Sequence, residues 1–211
     1  HNSWSKGCAT ITITPFDTIS WPKILIIDFG INNCLCNDGK YRRGKIVCTI
    51  TGRYRDSLTV ITDSLDNFYL NNYHIQGVKI VTNRGHNSNG YLNYSVEVYN
   101  ARIFTLTGVI QWNSSRTREW VYGEYTPWPN IWDDVYLITG SASGNNRFGN
   151  SFSIDIQSPL RVEIGCKWIV SGTLQINPIG NTFGVIDYGP GNCDDQAIIT
   201  VNGKNYPFTL N

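Results

Sequence analysis

The chain has 211 residues, 13% aromatic and 16% charged, with a formal net charge of +1. That length can bury a real core in one large β domain or two small closely packed ones. Near-neutrality leaves no broad electrostatic field to recruit nucleic acid or an anionic membrane. No apolar run approaches the roughly 20 residues a spanning helix needs. The chain opens at His1 without a signal peptide, which we read as a mature or trimmed form.

Taken in chain order, period-two alternation dominates. Cys8 precedes Ala9-Thr10-Ile11-Thr12-Ile13-Thr14, then Ile26-Ile27-Asp28-Phe29-Gly30, Cys34, and Ile46-Val47-Cys48-Thr49-Ile50-Thr51-Gly52. Strands are expected at 59–62, at Tyr73–Val81 and at Tyr91–Tyr99, the last two joined across Asn83 to Gly90, a turn rich in residues that tolerate positive φ. Further strands are expected at Gly108–Trp112, Glu119–Tyr122, Tyr136–Thr139, Ser151–Ile156 and Arg161–Val170, with a loop over Gly140–Asn150. A hairpin around Asn202-Gly203-Lys204 closes the chain. No window has helical periodicity.

The far end repeats the beginning: Cys166, Lys167 to Gly172, Asp187-Tyr188-Gly189, Cys193, and Ala197 to Gly203. In both copies the Asp of the Asp-aromatic-Gly triplet lies six positions before the following Cys. Internal self-similarity constrains architecture before any local assignment. The expectation is therefore an all-β, mainly antiparallel β-sandwich or related elongated sheet assembly. It forms a single domain over 1–211, with repeat units at about 8–52 and 166–203 and extra strands over 57–156.

The six cysteines admit many pairings. The duplication makes Cys8–Cys34 the counterpart of Cys166–Cys193, which leaves Cys36–Cys48 as the third predicted disulfide. A zinc site on Cys34, Cys36 and Cys48 fits poorly, because one intervening residue is short for paired ligands and no His lies near. Disulfides imply an oxidising, extracytoplasmic compartment.

Catalytic signatures are missing. Asp28-Phe29-Gly30 matches the kinase tripeptide in letters alone, since the other kinase motifs are absent. Its simpler role is structural: the aromatic fills the core, Gly permits the turn, and Asp accepts hydrogen bonds from turn amides. There is no nucleophile elbow, and beyond His1 only His74 and His86 could act as a base. Asn192 with Asp194 and Asp195 reads as a solvated turn rather than a calcium site. No cofactor and no metal are expected. The functional candidates are aromatic: among the cluster Trp112, Trp120, Tyr122, Tyr125, Trp128 and Trp132, the ligand-binding residues are expected to be Trp112, Trp120, Tyr122 and Trp128. Exposed rings beside polar side chains can stack on sugars or anchor a protein. If Val121 is buried, Trp120 and Tyr122 share the exposed face.

The segments Cys166-x-Trp168-Ile169-Val170-Ser171-Gly172-Thr173-Leu174, Asp187-Tyr188-Gly189-x-Gly191-x-Cys193-Asp194 and Thr200-Val201-Asn202-Gly203 resemble an uncharacterised lipoprotein family of Bacteroidetes. Segments Lys45–Asp56 and Trp112–Trp120 are similar to that group as well. The resemblance implies export and anchoring at the cell envelope through a lipid upstream of His1. It implies an outer membrane-anchored, periplasmic or secreted location, and carries no catalytic residues. The expected function is a non-catalytic envelope or secreted β protein binding glycan or an envelope protein. The alternatives are a structural or adhesive surface component and a secreted glycan-active enzyme.

Overall fold

The computed structural model describes residues 3–126, 129–178 and 182–210. Among them the secondary structure is all strand: β1 Ser3–Lys6, β2 Ala9–Thr14, β3 Lys23–Asp28, β4 Cys34–Leu35, β5 Tyr41–Ile50, β6 Val60–Leu70, β7 Tyr73–His86, β8 Leu92–Thr105, β9 Gly108–Tyr122, β10 Val135–Asn145, β11 Ser151–Glu163, β12 Ile169–Pro178, β13 Gly184–Pro190, β14 Gln196–Val201 and β15 Lys204–Thr209. The strands hydrogen-bond in chain order into one sheet, except that β3 pairs directly with β5 and β4 adds to β5 alone. The all-β antiparallel expectation holds, realised as one meander in hydrogen-bonding order.

The chain forms two compact units. The first comprises His1–Asn83, Glu97–Asn113 and Asn145–Gly149, and the second Arg84–Val96, Ser114–Gly144 and Asn150–Asn211. In the first, Phe29 of the Asp-aromatic-Gly turn packs on buried Phe68 at 5.9 Å between ring centroids. Buried Asn83 pins the preceding loop: its side-chain amide donates to the Tyr54 carbonyl (3.0 Å) and its own carbonyl accepts the Leu58 amide (2.9 Å). In the second unit Leu92, Tyr94, Trp120, Tyr136, Leu160 and Val170 are buried, and the Arg118 guanidinium lies 5.1 Å from the Tyr94 ring and 5.3 Å from that of Tyr136.

The duplication is structural. In the first copy β2, β3 and β5 follow one another in the sheet, as β12, β13 and β14 do in the second. The Gly30 amide donates to Asp28 Oδ1 at 2.8 Å, and the Gly189 amide to Asp187 Oδ1 at the same distance. The turn carboxylate thus organises its own backbone in both copies, as a short acidic side chain does at turns.

Several expected boundaries move. The strand expected at Arg161–Val170 breaks into β11 and β12, because the Cys166 amide turns back to the Glu163 carbonyl (2.9 Å). The expected strands Gly108–Trp112 and Glu119–Tyr122 fuse into β9, where Asn113 to Thr117 keep the in-out alternation with polar side chains. Gly140 to Asn145, expected in a loop, complete β10.

Two turn carboxylates give the chain an acid-sensitive edge. The Ser20 and Ile19 amides donate to Asp17 Oδ1 (2.6 and 2.9 Å) and hold its carboxyl at about 2, below the ordinary 3.8. The Gly30 amide, with Lys45 at 3.1 Å, lowers Asp28 as well. Both groups titrate lower folded than unfolded, so their contribution is present above about pH 4 and lost as pH falls toward 2. The thermal midpoint is expected to drop across that window, with Asp17→Asn removing part of the drop. A midpoint flat between pH 4 and 2 contradicts this.

Candidate functional site

Adjacent strands β9, β10 and β11 build an open cleft of 570 Å³ in the second unit. Its lining includes the apolar side chains Val121, Val135 and Leu137; Val135 and Leu137 share one face of β10 by strand parity. Aromatic rings line it too: Tyr122 is 65% exposed, Trp132 70% and Tyr91 38%. The polar lining is Asp133 and the pair Arg161–Glu163, whose Nε and Oε1 lie 2.7 Å apart two residues along one face of β11. The Thr126 hydroxyl is within hydrogen-bond distance of Asp133 Oδ1 at 3.2 Å, orienting that carboxylate. Apolar contact area, exposed ring faces and a few directed polar groups are the ingredients of a small-ligand site.

The expected aromatic residues separate. Trp120 is 3% exposed and packs against Tyr136 at 5.4 Å, so it belongs to the core and offers no platform. It and Val121 point to opposite faces of β9, and Val121 lines the cleft while Trp120 does not. Tyr122, at the last position of β9, stands exposed beside the cleft. Trp112 is half-buried in a separate apolar hollow of 250 Å³ in the first unit, with Ile46, Leu65, Ile75 and Val98. Trp128 lies outside the described residues. Tyr91, Arg161 and Glu163 were absent from the expected site; the one sequence signal for them was the period-two spacing of Arg161 and Glu163, which names a shared face but not the neighbouring strand.

The cysteines also separate. Cys8–Cys34 and Cys166–Cys193 are disulfides, whereas Cys36 and Cys48 are free thiols, so the expected Cys36–Cys48 bridge is not formed. The reason is register. Cys34 pairs with Arg42, which puts Cys36 at the tip of the β4–β5 hairpin, where its amide donates to the Lys40 carbonyl (3.0 Å). Cys48 lies six residues beyond Arg42 along β5, roughly 20 Å at about 3.4 Å per residue, far more than a disulfide spans. The insertion is instead tied down by Arg42, which holds both carboxylate oxygens of Asp38 at 2.8 Å. Burial, then Asp63, pushes the Cys48 thiol up to about 12, which keeps it protonated. Two disulfides fit an oxidising, extracytoplasmic setting, and no helix among the described residues is long and apolar enough to cross a membrane.

The remaining candidates have structural partners. His74 is stacked between Tyr69 (4.6 Å) and Phe104 (5.3 Å), with Arg43 over the far side of the row, 3.6 Å from the Tyr69 centroid. His86 Nε2 lies 2.7 Å from Glu124 Oε1. Asp194 accepts the Gln196 amide and Asp195 its side-chain amide. Among the described residues no group of three or more His, Cys, Asp or Glu is placed to hold a metal ion. Each Asp-aromatic-Gly turn flanks a groove, lined by Arg43 and Lys45 in the first copy and by Asn192, Asp194 and Gln196 in the second.

No protein-family model matches the chain, and neither a curated protein nor a solved structure is significantly similar to it.

Proposed function

We propose that this chain is a non-catalytic binding module of the cell envelope or of a secreted protein, and that the Tyr91–Tyr122–Trp132 cleft takes a glycan. One observation carries the reading: Trp132 and Tyr122, large aromatics left mostly in solvent, stand beside the apolar lining and the Arg161, Glu163 and Asp133 side chains. A sugar ring offers an apolar C–H face for the aromatics and hydroxyls for the charged groups. The extracytoplasmic setting that disulfides favour is where such ligands occur, and the lipoprotein resemblance is compatible with it. An envelope protein displaying an aromatic side chain would use the same cleft in the alternative partner reading.

The test is a glycan array on the folded protein, with Trp132→Ala beside it. Covering about 100 Å² of ring at roughly 25 cal/mol per Å² amounts to on the order of 2–3 kcal/mol. The substitution should therefore weaken binding at least about tenfold. No bound glycan, or an affinity indifferent to Trp132, removes the proposal. The secreted-enzyme reading draws on Asp133 and Glu163 sharing the cleft; glycan cleavage during the same incubation would favour it over a binding module.

A further inference from the structure

Three sulfurs meet where two would complete a disulfide. Cys34 and Cys36 occupy alternate positions of the extended chain entering the β4–β5 hairpin, and Leu35 between them is 57% exposed. Period-two geometry turns both cysteines the same way while Leu35 turns outward. The side they share is the one where Cys8 sits, in the turn between β1 and β2. Cys8 is bonded to Cys34, and Cys36 Sγ lies 3.2 Å from Cys8 Sγ. The hairpin tip holds it there through two backbone hydrogen bonds, Cys36 amide to Lys40 carbonyl and Gly39 amide to Cys36 carbonyl. Arg42, directly opposite Cys34 in the register, reaches Cys36 as well as Asp38. The second copy has one disulfide and no third cysteine, since Asp195 stands where Cys36 would recur.

We propose that Cys8, Cys34 and Cys36 form an intramolecular thiol–disulfide exchange site, in which the bond of Cys8 passes between the two hairpin cysteines. The Cys36 thiolate attacks Cys8 Sγ, the Cys8–Cys36 bond forms as Cys8–Cys34 breaks, and Cys34 leaves as the thiolate. The proton lost by Cys36 ends on Cys34, and no oxidant or reductant is consumed. Negative charge is spread over three sulfurs during the transfer, and the positive charge of Arg42, opposite Cys34 in the register, favours it. The exchange changes which hairpin residue is tethered to the β1–β2 turn, and leaves the other as the solvent-accessible nucleophile. It is independent of the glycan-binding reading.

Counting free thiols by alkylation in denaturant and intact mass provides the test. Six cysteines less two disulfides leave two free thiols in the native chain. Cys34→Ser is expected to leave one, Cys48, because Cys8 pairs with Cys36. Three free thiols would overturn the proposal. Cys193→Ser is the control: with no third sulfur nearby, Cys166 stays free and the count rises to three. If Cys34→Ser does not fold, the native chain carries the test through non-reducing peptide mapping with fragmentation between Cys34 and Cys36. Cys8 is expected linked to each of them; Cys8 linked to Cys34 alone overturns the exchange.

Discussion

Trp120→Ala is expected to destabilise the second unit by about 3–5 kcal/mol while leaving ligand affinity of the folded protein unchanged. The indole is 3% exposed and its neighbour Tyr136 is 8% exposed, so truncation opens a void inside a covered face. Tyr94 is 1% exposed, and Arg118 spans the Tyr94 and Tyr136 rings, so filling the void would break contacts that hold the guanidinium. Urea denaturation should give a lower midpoint with a similar slope, which marks a change of stability rather than of compactness. A loss under 1 kcal/mol would mean the residue is not the core element its burial indicates. Set beside Trp132→Ala, which should weaken binding with little effect on stability, the pair separates core packing from ligand contact.

Gly44→Ala should cost about 2–5 kcal/mol, from left-handed strain and overpacking together. Gly44 has φ +83° and sits in the bulge between Arg43 and Lys45 on β5, where an added Cβ would run into the backbone carbonyl of Asn67 on β6. A backbone atom of a paired strand cannot swing aside as a side-chain tip can. The same residue ties the first Asp-aromatic-Gly turn to the sheet: its amide donates to the Gly30 carbonyl at 2.7 Å and its carbonyl accepts the Phe29 amide at 2.9 Å. Gly39→Ala is the matched control, because Gly39 has φ +74° and nothing within 4 Å of an added Cβ. It should cost only the conformational strain, about 1–2 kcal/mol. Equal losses at the two positions would show that the close approach at Gly44 contributes nothing.

Much of the fold was legible because strands and turns announce themselves locally. Thr10 to Thr14 lie in β2, Asn202-Gly203 makes the terminal hairpin, and the two Asp-aromatic-Gly turns form the hydrogen bonds that their residue types favour. Where local patterning weakened, reading by apolar content failed. Asn113 to Thr117 looked like an interruption, yet a strand with a solvated face keeps its ladder with polar side chains, and β9 runs through them. The break at Cys166 was hidden for the opposite reason: apolar residues on both sides suggested continuity, while a single backbone hydrogen bond to Glu163 turns the chain. The Cys36–Cys48 pairing failed because it was assigned by elimination, and elimination ignores the distance between a hairpin tip and the far end of its strand.

From sequence alone came the all-β class, the duplicated cysteine-framed unit, and the two disulfides that equivalence between copies implies. Those are properties of short-range patterning and internal symmetry, which the chain carries in its own order. Trp120 and Tyr122 share a face of β9 by parity, and tertiary structure decided that Trp120 is buried while Tyr122, at the end of the strand, stands exposed beside the cleft with Trp132. It also brought Arg161 and Glu163 to that cleft and Cys36 to Cys8. The physical reason is the same in each case: strand parity determines which side chains share a face, but only the neighbouring strands and turns determine what that face meets.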